Sequence, residues 1–244
     1  MKRIILCEGS TDTAFLGYYM SKVFRWKYVS VNDKDLTSVG ITNRKSNESM
    51  KWYKKENDFL VICGVGGKDN FKKFFEKQLK DMITLTGDFD KIAVVTDRDD
   101  KSIKSIEEAL DLTYENMDIR FRENEWLLNS YTDGYSQKKR IDSLLLVIPR
   151  EEEGALETLM LKAISEDEYD KNIVEGAREF IDGIKPKADK YLRNKSLETK
   201  ACLGVTWAVQ YPENQFKYFR EKIVSVPWEK YDNLKKCFGK LGDL

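Results

Sequence analysis

A chain of 244 residues with 42 basic and 42 acidic side chains has no net charge, so no global basic field draws it onto DNA or an anionic membrane, and any nucleic-acid surface must be a local patch. The sequence contains no histidine, which excludes Ser-His-Asp triads, Cys-His dyads, HExxH zinc sites and imidazole bases, and leaves carboxylate, lysine, tyrosine and metal chemistry. Cys7, Cys63, Cys202 and Cys237 are scattered without a CxxC pair, no apolar run reaches signal-peptide or membrane-span length, and the expectation is a reduced, cytoplasmic protein with no membrane partner.

Residues 3–7 form a short apolar run that reads as a buried strand. Gly9 follows, and Ser10 or Thr11 is the expected N-cap of a helix on which Phe15, Leu16, Tyr19 and Val23 recur at helical spacing. Residues 25–57, polar and rich in Lys, Asn and Ser, break the pattern and read as an insertion. A second strand over 59–63 leads through Gly64-Val65-Gly66-Gly67 into a helix with Phe71, Phe75, Leu79 and Met82 on one face. A third strand over 91–95 runs into Thr96-Asp97-Arg98-Asp99-Asp100, followed by a helix with Ile103, Ile106 and Leu110 inward. Residues 117–140, containing the alternating Asp118-Ile119-Arg120-Phe121-Arg122, read as a second insertion, with a hairpin or edge strand. A fourth strand over 143–148 stops at Pro149 and precedes a helix carrying Leu156, Leu159 and Met160.

After about residue 166 the chain turns helical. Ile173, Ala177, Phe180 and Ile184 make one face, Pro186 breaks it, and Trp228, Tyr231, Leu234, Phe238 and Leu241 make a terminal helix. These aromatics, like Trp207 and Tyr211, are at packing positions, and a homodimer surface in this region is left open. Apolar strands alternating with amphipathic helices predict an α/β fold, with a mainly parallel sheet of about four strands between helices. The expected division is an α/β core over 1–165, with the insertions near 25–57 and 117–140, and a helical C-terminal extension over 166–244 packed on it.

In an open parallel sheet ligands bind outside the carboxyl ends of the strands, and here the residues at those ends are acidic. Glu8 follows the first strand, and Asp97 and Asp99 follow the third, where alternation along an extended segment would point both aspartates the same way. Carboxylate oxygens suit a hard cation such as Mg²⁺ or Mn²⁺. Asp12 lies in the first turn of the following helix, either as a helix-start acid or as a fourth member of the site. Gly66, Gly67 and Lys68 read as a structural turn or as a loop that touches a substrate phosphate. Lys138-Lys139-Arg140, Lys72-Lys73 and Lys51-Trp52-Tyr53-Lys54-Lys55 are small basic clusters, the last with aromatics able to stack on bases, although solvated faces are their commoner role.

Glu8-Gly9-Ser10-Thr11-Asp12 and the Asp97-Arg98-Asp99 that follows an apolar strand resemble the glutamate motif and the DxD motif of Toprim domains. The likeness is closest to the Toprims of overcoming-lysogenization-defect (OLD) nucleases and to small stand-alone Toprim-related proteins of the DUF3226 and DUF4435 kind. It extends over Gly66-Gly67-Lys68-Asp69 and Thr96, in the expected order, from about residue 2 to 164. The resemblance implies a Rossmann-like Toprim core, a Mg²⁺- or Mn²⁺-dependent cleavage of DNA or RNA, and catalytic roles for Glu8, Asp97 and Asp99. It also implies a further metal-holding glutamate in Gly154-Ala155-Leu156-Glu157, namely Glu157. Glu8, Asp12, Asp97, Asp99 and Glu157 are thus the implied metal ligands. Nuclease members use a late lysine as well, but Lys195 and Lys200 match no motif and stay outside the expected site. OLD enzymes carry an ATPase domain that this chain lacks, so a separate ATPase or other protein partner is implied. The alternative is a non-catalytic Toprim-like module that binds a nucleotide or a partner protein.

Overall fold

The computed structural model describes residues 1–30, 49–80, 83, 89–214 and 219–244. Among these residues the strands are β1 (Lys2–Cys7), β2 (Lys27–Val29), β3 (Ser49–Lys55), β4 (Asp58–Gly64), β5 (Phe89–Asp97), β6 (Leu127–Thr132) and β7 (Lys138–Ile148). They join in one sheet of order β2-β3-β4-β1-β5-β7-β6. The four expected strands are its centre, and β4, β1, β5 and β7 run parallel. The whole sheet corrects the expectation of a mainly parallel sheet of about four strands: it has 7 strands, and β2, β3 and β6 add antiparallel edges.

The additional strands come from the two segments read as insertions. β3 folds back onto β4 through a two-residue turn between Lys55 and Asp58, with Glu56 at φ 55°. Trp52 and Tyr53 are both buried, one against each face of the sheet, so they are core residues and not a stacking surface for bases. Residues 31–48 of this insertion lie outside the described residues. In the second insertion β6 pairs with β7, which starts at Lys138. Lys138, Lys139 and Arg140 therefore lie at the end of the sheet opposite the strand ends that carry Glu8 and Asp97. The alternating stretch after Asp118 is no strand of the sheet, yet it buries Ile119 and Phe121 while Arg120 stays exposed.

Period-two alternation divides the buried strand residues between two cores. Ile5, Ile62, Ala93, Val95, Leu144 and Leu146 face one side of the sheet, and Ile4, Leu6, Val61, Ile92, Val94 and Leu145 face the other. The first side is covered by α1 (Ser10–Lys22) and the second by α2 (Phe71–Phe74), its π-helical continuation Phe75–Leu79, and α3 (Ile103–Tyr114). Met82, expected on the same face as Phe71, Phe75 and Leu79, lies outside the described residues.

The C-terminal helices are α4 (Leu156–Ile164), α5 (Glu168–Ile184), α6 (Lys195–Gln210), α7 (Phe219–Ser225) and α8 (Asp232–Phe238), and they share the core on the α1 side. Phe15 of α1 meets the Trp228 ring edge-on at 5.4 Å and the Phe238 ring at 5.7 Å. The expected terminal helix is shorter than its apolar pattern. Trp228 precedes α8 in a 3-10 turn and Leu241 follows it in another, yet both side chains are fully buried. On α5 the inward face is Val174, Ala177 and Ile181, which leaves Phe180 53% exposed and rotates the expected stripe sideways. Among the described residues no helix is long and apolar enough to cross a membrane.

Candidate active site

β1 and β5 are parallel neighbours, so the residues that follow them come out on one edge of the sheet. Glu8 Oε1 accepts a hydrogen bond from the Thr96 hydroxyl at 2.7 Å and another from the Asp97 backbone amide at 3.0 Å. The Glu8 carbonyl is held from the other side by the amides of Gly66 and Gly67, at 2.9 and 2.8 Å. Both glycines have positive φ, 83° and 119°, which directs their amides to that carbonyl. The two N–H groups considered as a phosphate cradle are therefore spent on fixing Glu8.

Asp12 owes its position to the helix start. α1 is capped at Gly9, not at Ser10 or Thr11, and Asp12 Oδ2 accepts the Gly9 amide at 2.8 Å. Asp97 Oδ1 accepts the Leu156 amide at 3.0 Å, at the first turn of α4, where the helix dipole favours an anion. Glu157 is the next residue of that turn, and Lys200 of α6 approaches it at 3.9 Å.

These carboxylates act on one another. Burial, then the charges of Glu8, Asp12 and Glu157, push the Asp97 carboxyl up to about 9, against the opposing pull of the Leu156 amide. Burial also raises Asp12 to about 6; the Gly9 hydrogen bond works the other way, and the charges of Glu8 and Glu157 add to the rise. Cys7, buried at the end of β1, has its thiol pushed well up by burial and by Asp12, which makes it a poor nucleophile.

Asp99 takes a different partner from Asp97. The chain leaves its extended course after β5, Asp99 turns to φ 52°, and its backbone exchanges two hydrogen bonds with Gly154, at 2.7 and 2.9 Å. The exposed Asp99 carboxylate receives the Lys68 ammonium at 2.9 Å, and the same ammonium donates to the Asp97 carbonyl at 2.7 Å. Lys68 thus ties the loop after β4 to the loop after β5. Among the described residues no three His, Cys, Asp or Glu side chains already converge in a geometry that could hold a metal ion.

The sequence matches the family model "Protein of unknown function (DUF3226)" over residues 2–241. The chain belongs to the DUF3226 family. The match takes in the whole sheet and helices α1 to α8. A crystal structure of a hypothetical protein from Pyrococcus horikoshii OT3 is similar at 14% identity and a TM-score of 0.47, covering 94% of this chain and 98% of that one. No curated protein matches.

Sequence reasoning did not identify the groups that orient the acids of this DUF3226 chain. Thr96 was noted only as part of a motif, and the Leu156 amide carries no side-chain signal at all. Lys200 was set aside, and its approach to Glu157 arises from the packing of α6 on α4. Gly154 has a structural reason that the motif concealed. Its φ is +143°, and a Cβ there would run into the Thr158 side chain. Gly154→Ala is expected to cost about 1–3 kcal/mol and to loosen the Asp99 loop. Urea unfolding measures the first effect; an unchanged midpoint would refute the claim that this backbone conformation is required.

Proposed function

We propose that this chain is a Toprim-type, Mg²⁺- or Mn²⁺-dependent phosphodiesterase that cleaves DNA or RNA, with Glu8, Asp12, Asp97 and Glu157 as the acidic centre and Asp99 on its rim. The observation that carries the reading is the Glu8 carboxylate hydrogen-bonded to the Asp97 amide, which brings acids from two strand ends to one place. Carboxylates from the turn after β1, the last residue of β5 and the starts of α1 and α4 offer hard oxygen donors of the kind Mg²⁺ prefers. Burial, with the neighbouring charges of Glu8, Asp12 and Glu157 added to it, holds Asp97 near 9, and a divalent cation would relieve that charge imbalance.

Glu8, Asp12, Asp97 and Glu157 would hold the metal. A bound divalent ion would supply Lewis-acid activation of water and neutralise charge on the scissile phosphate. The protein's own part begins with orientation. Thr96 and the Asp97 amide hold one oxygen of Glu8, and Glu8 Oε2 has no hydrogen bond among the described residues, so it is available to take a proton from water. The Leu156 amide fixes Asp97 in the same manner. Lys68 keeps the Asp99 loop closed, and the exposed Lys72 and Lys73 at the start of α2 add cations on the same end of the sheet.

The non-catalytic module is the second reading, and two observations favour it. Asp99 is already neutralised by Lys68, and the carboxylates do not yet converge on one point among the described residues. The two readings divide on one experiment. Wild type and Asp97→Ala are incubated with single-stranded, duplex and structured nucleic acids in Mg²⁺ or Mn²⁺. Cleavage by wild type, reduced by about 10²-fold or more in the variant, supports the phosphodiesterase. Metal binding by wild type without turnover selects the binding module, and equal cleavage by both proteins removes the site altogether. A separate ATPase partner belongs to the same proposal and would be sought by co-purification.

A further inference from the structure

Beside the acidic centre lies a cavity of about 410 Å³ between the starts of α1 and α4 and the helices α6 and α7. Glu157 forms its wall on the side of the carboxylates, and Thr11 contributes a hydroxyl from the first turn of α1. Leu203 and Trp207 of α6 make an apolar floor, with the Trp207 ring buried beneath it. Two cations line the remaining wall, Lys200 and Lys222. Lys200 is answered by Glu157 at 3.9 Å. Lys222 makes no ion pair or hydrogen bond among the described residues, and it stands half-buried on the cavity wall.

An unanswered cation is unusual on the wall of a cavity that also carries a carboxylate of the acidic centre, Glu157. The carboxylates repel a polyanion, so positive charge close to them, beyond that of a bound metal ion, favours the approach of a nucleic-acid strand. In this cavity Lys200 and Lys222 outnumber Glu157, which leaves one positive charge on its wall. Its volume falls in the range of small-ligand sites, which is about 300–1,000 Å³ and is enough for a single nucleotide. A hydroxyl and a free ammonium are groups of the kind that contact phosphate oxygens and sugar in nucleic-acid complexes.

We infer that this cavity is the strand-binding subsite of the acidic centre, where Lys222, assisted by Lys200 and Thr11, holds the phosphate next to the scissile one. The inference rests on the phosphodiesterase reading and names its substrate as a polynucleotide strand with at least one flanking phosphate. Lys222 is a binding residue here and takes no part in proton transfer.

The test is binding of a fluorescently labelled 12-nucleotide single strand, followed by anisotropy in Ca²⁺ across a salt series, for wild type, Lys222→Ala and Lys222→Arg. Thermal midpoints verify that the variants fold. Lys222→Ala is expected to weaken binding about tenfold and to reduce the slope of log K against log salt by about 0.7–1, the share of one phosphate contact, while Lys222→Arg restores both. Unchanged affinity and slope in Lys222→Ala would overturn the subsite, and so would a wild type that does not bind the strand. Cleavage in Mg²⁺ separates the two readings. Binding that depends on Lys222 without any cleavage keeps the subsite and discards the phosphodiesterase, whereas cleavage indifferent to Lys222 does the reverse.

Discussion

Asp97→Asn is expected to raise the stability of the chelator-treated protein at pH 8 and to abolish the stabilisation that Mg²⁺ gives the wild type. The native fold holds the Asp97 carboxyl near 9, against an ordinary 3.8, so the native chain keeps this proton more tightly than the unfolded chain does. Between those two values the native state binds more protons, and stability falls as pH rises. The contribution is fully present below 3.8 and is lost by the time pH passes about 9; Asp12 adds a narrower window that closes near 6. At pH 8 the native fold must take up a proton at Asp97 that the unfolded chain has already released, which is a burden on the fold in the absence of a cation. Asparagine removes the charge and keeps an oxygen for the Leu156 amide. With allowance for the solvent that reaches this half-buried group, the gain is about 2 kcal/mol. Thermal unfolding at pH 5 and pH 8, with and without Mg²⁺, measures it. A wild type as stable at pH 8 as at pH 5, or a variant stabilised by Mg²⁺ as much as wild type, would contradict the arrangement.

Trp228→Ala is expected to lower stability by about 3–5 kcal/mol and to do so in a single cooperative transition. The indole is fully buried, donates from Nε1 to the Ile223 carbonyl at 2.7 Å, and packs edge-on against Phe15 at 5.4 Å. Phe15 belongs to the helix that starts beside Glu8, so the loss would be felt by the α1 side of the sheet and by the C-terminal helices together. Urea unfolding followed by both far-ultraviolet circular dichroism and tryptophan fluorescence tests this. Two separated transitions, with only one of them shifted, would show that the C-terminal helices fold as an independent unit.

Residues 3–7, 59–63, 91–95 and 143–148 are apolar enough to be read as buried strands, and each lies within a central strand of the sheet. β3 was missed because Lys51, Lys54 and Lys55 interrupt the run around Trp52 and Tyr53 and give the segment the look of a solvated loop. On α5, residues 173, 177, 180 and 184 and residues 174, 177 and 181 are equally good helical stripes that share Ala177. Only contact with α6 and α4 decides that Val174 and Ile181 go inside.

The site divides along the same line. Acidic residues at strand ends follow from local sequence, because a strand that stops in a glycine or a polar turn exposes the next carboxylate at the sheet edge. In a parallel arrangement of those strands, Glu8 and Asp97 fall at the same end. The expected partnership of Asp97 with Asp99 assumed that the backbone stays extended, and it does not, since Gly154 pulls Asp99 into a left-handed turn and Lys68 takes its charge. By itself the sequence determined the α/β alternation, the four central strands and the acidic character of their ends, because these depend on periodicities within a few residues. Tertiary structure alone decided the pairing of Asp99 with Lys68 and the arrival of Lys200 and Lys222 beside Glu157, because those contacts join positions 31 to 65 residues apart and no local pattern encodes which of several equivalent faces will meet.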